Sequence, residues 1–229
     1  MADFKLDDVV PWGRSLEEYV RMFSLTDADL NKKILGCGDG PASFNYELSK
    51  IGGSVVSVDP IYQFSRKQIR QRIDETSSQI IEQLHANKKR FTWTQFESPD
   101  DVVNQRRKAK DIFLDDFDEG VNQGRYVNAA LPELPFANQS FDITLCSHFL
   151  FLYSDHFSLD SHIQAIKQMS RVANDVRVFP LLDSQGNISI HLEPVTAALQ
   201  AAGYLVERVI VDYEFQQGGN DMLRVVNTN

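Results

Sequence analysis

Two hydrophobic rhythms alternate along this chain: short apolar runs, and longer segments whose apolar positions recur three and four apart. Leu16, Tyr19, Val20 and Phe23 share one helical face, and Ser15 with Glu18 forms a capping box, so a helix is predicted from Ser15. Lys33-Ile34-Leu35 predicts a strand running into Gly36-Cys37-Gly38-Asp39-Gly40. Pro41 suits the first turn of a helix that reaches about Lys50. Gly52-Gly53 breaks it, and Ser54 to Val58 is a β-branched strand ending at Asp59. One helix is then expected from about Ser65 to Ala86, with Ile69, Ile73, Ile80 and Leu84 on one side. Another starts at Ser98-Pro99-Asp100-Asp101, carries Val102, Arg106, Ala109, Ile112, Phe113 and Phe117 at helical spacing, and stops at Gly120.

Further strands are expected at Arg125 to Ala130, at Phe141 to Phe149 in the centre, and at Val176 to Leu182; helices at Leu159 to Val172 and at Glu193 to Ala202, closed by Gly203. Leu205 to Phe215 and Met222 to Val226, joined by a turn from Gln216 to Asp221, predict an antiparallel hairpin. Strand–helix alternation predicts an α/β fold with a mainly parallel sheet. A plain crossover needs only about a dozen residues or slightly more. The stretch from Ile61 to Gly124 has over sixty, so residues 62–124 are expected to hold an inserted helical cap within one domain spanning 1–229, with an N-terminal helix inside about 1–30.

Composition narrows the function classes. A chain of 229 residues, 42% hydrophobic, buries enough surface to need no disulfide or metal staple. A formal charge of −9 argues against a generally basic nucleic-acid-binding surface. Two cysteines make no disulfide framework or four-cysteine zinc pattern, and His85, His162 and His191 lack ligand spacing, so no metal is expected. The acidic start MADFKLDD has no apolar core and no window offers 18 consecutive apolar residues. The expectation is a cytoplasmic protein without signal peptide or membrane span.

The strand, glycine run and following helix carry the chemistry. Glycines permit a tight turn and close ligand approach, and a helix N-terminus offers free N–H groups. Asp59, 19 residues after Gly40, ends the next strand, where an acid can accept bonds from both hydroxyls of a ribose. A nucleoside-containing cofactor follows. The dinucleotide fingerprint breaks at Pro41 in one register and at Ser43 in the other, and no Walker A lysine follows.

The run Ile34-Leu35-Gly36-Cys37-Gly38-Asp39-Gly40 resembles the first motif of class I S-adenosylmethionine-dependent methyltransferases. Leu134-Pro135-Phe136 with Ser140-Phe141-Asp142, then Leu145-Cys146-Ser147-His148, resemble two later motifs of their small-molecule branch. The resemblance implies a Rossmann-like fold: seven strands, mostly parallel, with a terminal antiparallel hairpin. It implies S-adenosyl-L-methionine as cofactor. Gly36, Cys37, Gly38 and Gly40 would pass along its methionine portion, Asp59 would bind the ribose, Pro60 and Ile61 would flank the adenine, Leu131 would offer a backbone N–H near it, and Cys146 would lie beside the methionine portion. Two acids usual in the family are replaced, by Ile34 and by Ala130; Asp39 is an alternative partner for the ammonium group.

Methyl transfer is an in-line displacement that needs positioning first and a base only for a protonated nucleophile. His148 is a candidate base. Tyr153, with Asp155 and His156, is a candidate for the substrate pocket. Trp12 and Arg14, after Pro11, could fold over the cofactor, Arg14 toward a carboxylate. Lys88-Lys89-Arg90 and Arg106-Arg107-Lys108 read as solvated helix faces or as an anion site. Cys37 and Cys146 are expected on neighbouring strands as buried thiols. The reading is methyl transfer to a small molecule. Its rivals are a degenerate, non-catalytic module that binds cofactor or protein, a dinucleotide-dependent oxidoreductase, and an RNA methyltransferase. Oligomeric state is not legible.

Overall fold

Seven strands form one sheet in the order β3-β2-β1-β4-β5-β7-β6. They are β1 (Lys33–Cys37), β2 (Ser54–Val58), β3 (Tyr126–Val127), β4 (Ile143–Ser147), β5 (Asp175–Phe179), β6 (Leu205–Ile210) and β7 (Asp221–Val226). Only β7 runs against the rest, pairing antiparallel with both β5 and β6. The computed structural model describes residues 12–227, apart from the side chains of 76–80. The acidic start, Pro11 and the side chain of Ile80 therefore lie outside the described residues.

Every residue of β4 and β5 is buried, as parallel strands covered on both faces require. Helices α1 (Leu16–Met22) and α3 (Phe44–Lys50) pack Tyr19, Phe23, Phe44 and Leu48 against Ile34, Ile143 and Leu145 on one face. Helices α6 (Leu159–Val172) and α7 (Leu192–Ala201) pack Ile166, Met169, Val195 and Leu199 against Leu35, Cys146 and Val178 on the other. A short α2 (Asp27–Leu30), which no periodicity announces, is closed by its own Thr26–Asp29 capping box. Between β2 and β3 stand α4 (Arg66–Ala86) and α5 (Pro99–Asn122), capped by Ser65 and Ser98. No helix among the described residues is long and apolar enough to cross a membrane.

Several boundaries differ from expectation for identifiable reasons. Pro41 lies outside α3, which starts at Phe44, because Gly38 and Gly40 take left-handed φ angles of 69° and 55° and spend the intervening residues on a turn. Gly120 lies inside α5 rather than ending it: its missing Cβ makes room for the Tyr126 ring. The strand expected from Arg125 to Ala130 is only two residues long, because the chain turns back at an Ala130–Glu133 bridge. The strand expected from Leu205 to Phe215 stops at Ile210. Val211, Tyr213 and Phe215 keep an alternating pattern and are buried, but against the N-terminal helix and the segment after α4.

Candidate active site

The parallel strands present their carboxyl ends on one side, and the chain reverses its direction of sheet growth between β1 and β4. A crevice at such a switch point is where open α/β sheets bind ligands. Here it is a cleft of about 530 Å³, floored by Gly38, Asp39 and Gly40 after β1, by Asp59, Pro60 and Ile61 after β2, by Ala129, Ala130 and Leu131 after β3, and by Ser147, His148 and Phe149 after β4. Phe64, Arg72 and Glu75 complete its wall. That volume suits a nucleoside-sized ligand.

Hydrogen bonds fix two of the cleft's acids, Asp59 to the backbone turns and Asp39 to two side chains. Asp59 Oδ2 accepts from Gly40 N at 2.9 Å and Oδ1 accepts from Ile61 N at 2.8 Å. The same side chain thus fixes the glycine turn and caps the turn Pro60–Gln63. Tyr62 closes the loop by donating to Gly40 O at 2.7 Å. Gly38 has left-handed φ, and a Cβ there would stand 3.1 Å from the Phe149 ring, so a side chain there would be strained and tightly placed. Asp39 folds back under Gly36, whose added Cβ would overlap its carboxylate. There Asp39 accepts from Tyr19 at 2.8 Å and from Ser57 at 2.5 Å.

Burial dominates both acids. It raises Asp39 to about 7, against the bonds from Ser57 and Tyr19 and with help from Asp59. It raises Asp59 to about 6, against the N–H groups of Ile61 and Gly40. The ordinary value is 3.8, so between about pH 4 and pH 7 the folded chain keeps a proton that the unfolded chain has released. Stability from this group falls as pH rises through that window and is level above it. Asp39→Asn removes the titration. The melting temperature of the wild type minus that of the variant is expected to drop by roughly 5 °C between about pH 5 and pH 7, and a pH-independent difference would contradict the assignment.

His148 directly follows β4 with φ 50°, a left-handed conformation rare outside glycine. Its N–H donates to Phe179 O at 2.6 Å, and Nδ1 lies 3.0 Å from Ser147 Oγ. Burial, then Arg14 and Arg106, push its pKa well down, so the ring is neutral near pH 7. His148, Trp12 and Arg14 also border a second, smaller pocket of about 70 Å³. Its other walls include Phe91, Tyr153, Phe179, Tyr213 and Phe215.

The sequence-predicted residues therefore divide. Gly38, Gly40, Asp59, Pro60, Ile61, Leu131 and His148 converge on the cleft, and Tyr153 on the adjoining pocket. Gly36, Cys37 and Cys146 do not line either space. Cys37 and Cys146 are register partners on β1 and β4, buried in the core as free thiols. Asp155 and His156 are exposed and line neither space, although His156 N donates to Tyr153 O at 2.9 Å and its ring meets the Tyr153 ring edge-on at 5.9 Å. The amide groups expected to be free ahead of α3 are not: Ser43 and Phe44 both donate to Arg14 O. Arg106 is not on a solvated face. It is 1% exposed and forms a two-pronged ion pair with Glu18. Its place on the apolar stripe with Val102, Ala109 and Phe113 was the available signal. Tyr19 and Ser57, which hold Asp39, leave no such trace in sequence.

Seven strands, mostly parallel, with a terminal antiparallel hairpin are what the resemblance implies, so the chain has the class I methyltransferase fold. No protein-family profile matches the chain. A protein of Methanocaldococcus jannaschii described as uncharacterized protein MJ0045 is 32% identical over 224 residues, 97% of this chain and 98% of its own. Solved structures are distantly similar, two of them as follows. Magnesium protoporphyrin IX methyltransferase from Synechocystis PCC 6803, with bound S-adenosylmethionine, is 13% identical with a TM-score of 0.45, covering 88% of this chain and 73% of that one. An S-adenosylmethionine-dependent methyltransferase from Aquifex aeolicus is 14% identical with a TM-score of 0.41, covering 91% and 90%.

Proposed function

This chain belongs to one family with the M. jannaschii protein over nearly its whole length, and we propose that it is an S-adenosylmethionine-dependent methyltransferase acting on a small molecule. The observation that carries the reading is the pair of spaces that meet at His148: a nucleoside-sized cleft over the glycine turn, and a small aromatic pocket beside it. The cleft fits the cofactor. Gly40 leaves open the room a side chain would fill, with only Asp59 Oδ2 within 4 Å of an added Cβ, and Asp59 presents a carboxylate at the end of β2. Asp59 would hold the ribose hydroxyls, Pro60 and Ile61 would flank the adenine, and Leu131 would offer its backbone N–H. When bound, the cofactor supplies a sulfonium-activated methyl group.

The chain's own residues then position and deprotonate the acceptor. With the Ser147 hydroxyl directed at Met22 Sδ, 3.9 Å away, the tautomer in which His148 Nδ1–H donates to Ser147 Oγ would leave the lone pair on Nε2. Held neutral by burial and the nearby arginines, that nitrogen can take the proton a hydroxyl or amine acceptor loses. Tyr153, Phe179 and Tyr213 exclude water around it. The walls contributed by Phe64 and Arg72 support a cap formed by residues 62–124. An acidic chain with a pocket this small is poorly suited to an RNA acceptor.

S-adenosylhomocysteine at about 100 times its dissociation constant is expected to raise the melting temperature by roughly 5–10 °C, with no effect of NAD. Transfer of isotopic label from the cofactor's methyl group to an acceptor would complete the test. No shift with S-adenosylhomocysteine at millimolar concentration would end the proposal, and a shift with NAD alone would point to an oxidoreductase.

A further inference from the structure

Among the described residues, the junction between the two spaces holds an unbalanced positive charge. Arg14 is 8% exposed. Its guanidinium makes one hydrogen bond among the described residues, Nη1 to Trp12 O at 3.1 Å, while Nε is buried with no partner. Among the described residues, Glu18 is the carboxylate that acts on Arg14, but both its oxygens are taken by Arg106, and Oε1 also accepts from Tyr213 at 2.9 Å. Asp39, on the far side of Tyr19, is engaged by Tyr19 and Ser57. His148 is neutral and offers no negative charge. Two buried arginines thus share one carboxylate.

A buried charge without a partner is costly, and a guanidinium cannot relieve the cost by losing its proton. A cation kept in this condition on a pocket wall is suited to a ligand anion that completes it. A carboxylate matches the planar donor edge of arginine best. The small pocket that Arg14 borders is walled mainly by aromatic rings, with Arg90, Ser184 and Gln216 as its other polar groups, and its volume of about 70 Å³ admits one ring rather than a chain or a macromolecule. Its roof is fixed: Phe91 and Phe215 stack at 4.7 Å, and Thr92 N donates to Phe215 O at 2.8 Å.

We propose that this pocket takes an acceptor one ring in size bearing a carboxylate, and that Arg14 anchors the carboxylate beside His148. The inference rests on the methyltransferase reading for the word acceptor; the anion site itself does not. The cofactor also has a carboxylate, and Arg14 borders both spaces, so the test separates the two sources.

Benzoate and its neutral isostere benzamide are titrated into the protein with and without saturating S-adenosylhomocysteine, by calorimetry. Benzoate is expected to bind about 10–100-fold more tightly than benzamide, the worth of a charge-assisted bond to a buried cation. Arg14→Gln is expected to abolish that preference while changing the S-adenosylhomocysteine affinity less than about threefold. Equal binding of the two probes, or none by either, overturns the proposal. So does Arg14→Gln weakening S-adenosylhomocysteine about tenfold while benzoate is unaffected, which assigns Arg14 to the cofactor's carboxylate. If Arg14→Gln fails to fold, the wild-type preference for benzoate over benzamide and the Arg14→Lys variant still decide. Loss of the methyltransferase reading would show separately, as no S-adenosylhomocysteine binding by a wild type that still prefers benzoate.

Discussion

Replacing Asp59 with alanine is expected to weaken S-adenosylhomocysteine binding at least about 100-fold, the loss of two charge-assisted hydrogen bonds to the ribose. The carboxylate also does structural work, because its two oxygens accept from Gly40 N and Ile61 N. Alanine strands both donors, so a stability loss of about 1–3 kcal/mol accompanies the change. Asp59→Asn separates the roles. The amide oxygen can still accept one backbone bond, which preserves much of the turn, but the amide nitrogen cannot accept from the second ribose hydroxyl. Its affinity is therefore expected to fall by roughly tenfold or more with the fold largely kept. Calorimetric titration of both variants checks this, and affinities within about threefold of the wild type would remove Asp59 from the site.

Arg106→Met is expected to be the most destabilising single change, by about 3–5 kcal/mol, because it leaves Glu18 charged and buried without its partner. At this chain length that is roughly 6–20 °C in melting temperature. Glu18 caps α1 through Ser15 N at 3.1 Å while bonding Arg106 and Tyr213, so one carboxylate joins the N-terminal helix, α5 and the segment before β7. Burial alone would raise the pKa of Glu18, but Arg106 overcomes it and holds the carboxyl below its ordinary value. The stability it contributes is therefore present above that ordinary value and is lost as pH falls through the lower, folded one. Adding Glu18→Gln to Arg106→Met is expected to recover about 1–3 kcal/mol, since the stranded charge disappears. Strictly additive losses in the two single variants and the double would show that the pair is not coupled. Because Arg106 also helps to keep His148 neutral, its loss reaches the site as well as the fold.

Local pattern alone determined much of this protein. Ser15 with Glu18, Ser65 and Ser98 start their helices where the capping signals stand, because a cap is a contact over three residues. The two helices of 62–124, the glycine turn, Asp59 at the end of β2 and the neighbouring strands of Cys37 and Cys146 follow from spacing and alternation, which register which face is buried. What the tertiary structure decided is of another kind. Ser57 reaches Asp39 across 18 positions and Arg106 reaches Glu18 across 88, so neither partnership has a local signature. Val211 to Phe215 alternate like a strand yet pack as a loop, because burial against α1 imposes the same period as a sheet. The motif that marked Cys37 and Cys146 could not say that their thiols face the core, since a strand sends alternate side chains to opposite faces and only the packed sheet fixes which face meets the cleft. The charge of Arg14 was visible from the outset. That it stands buried beside His148 with its Nε unpaired is a property of the assembled junction, where chain segments distant in sequence exclude water together.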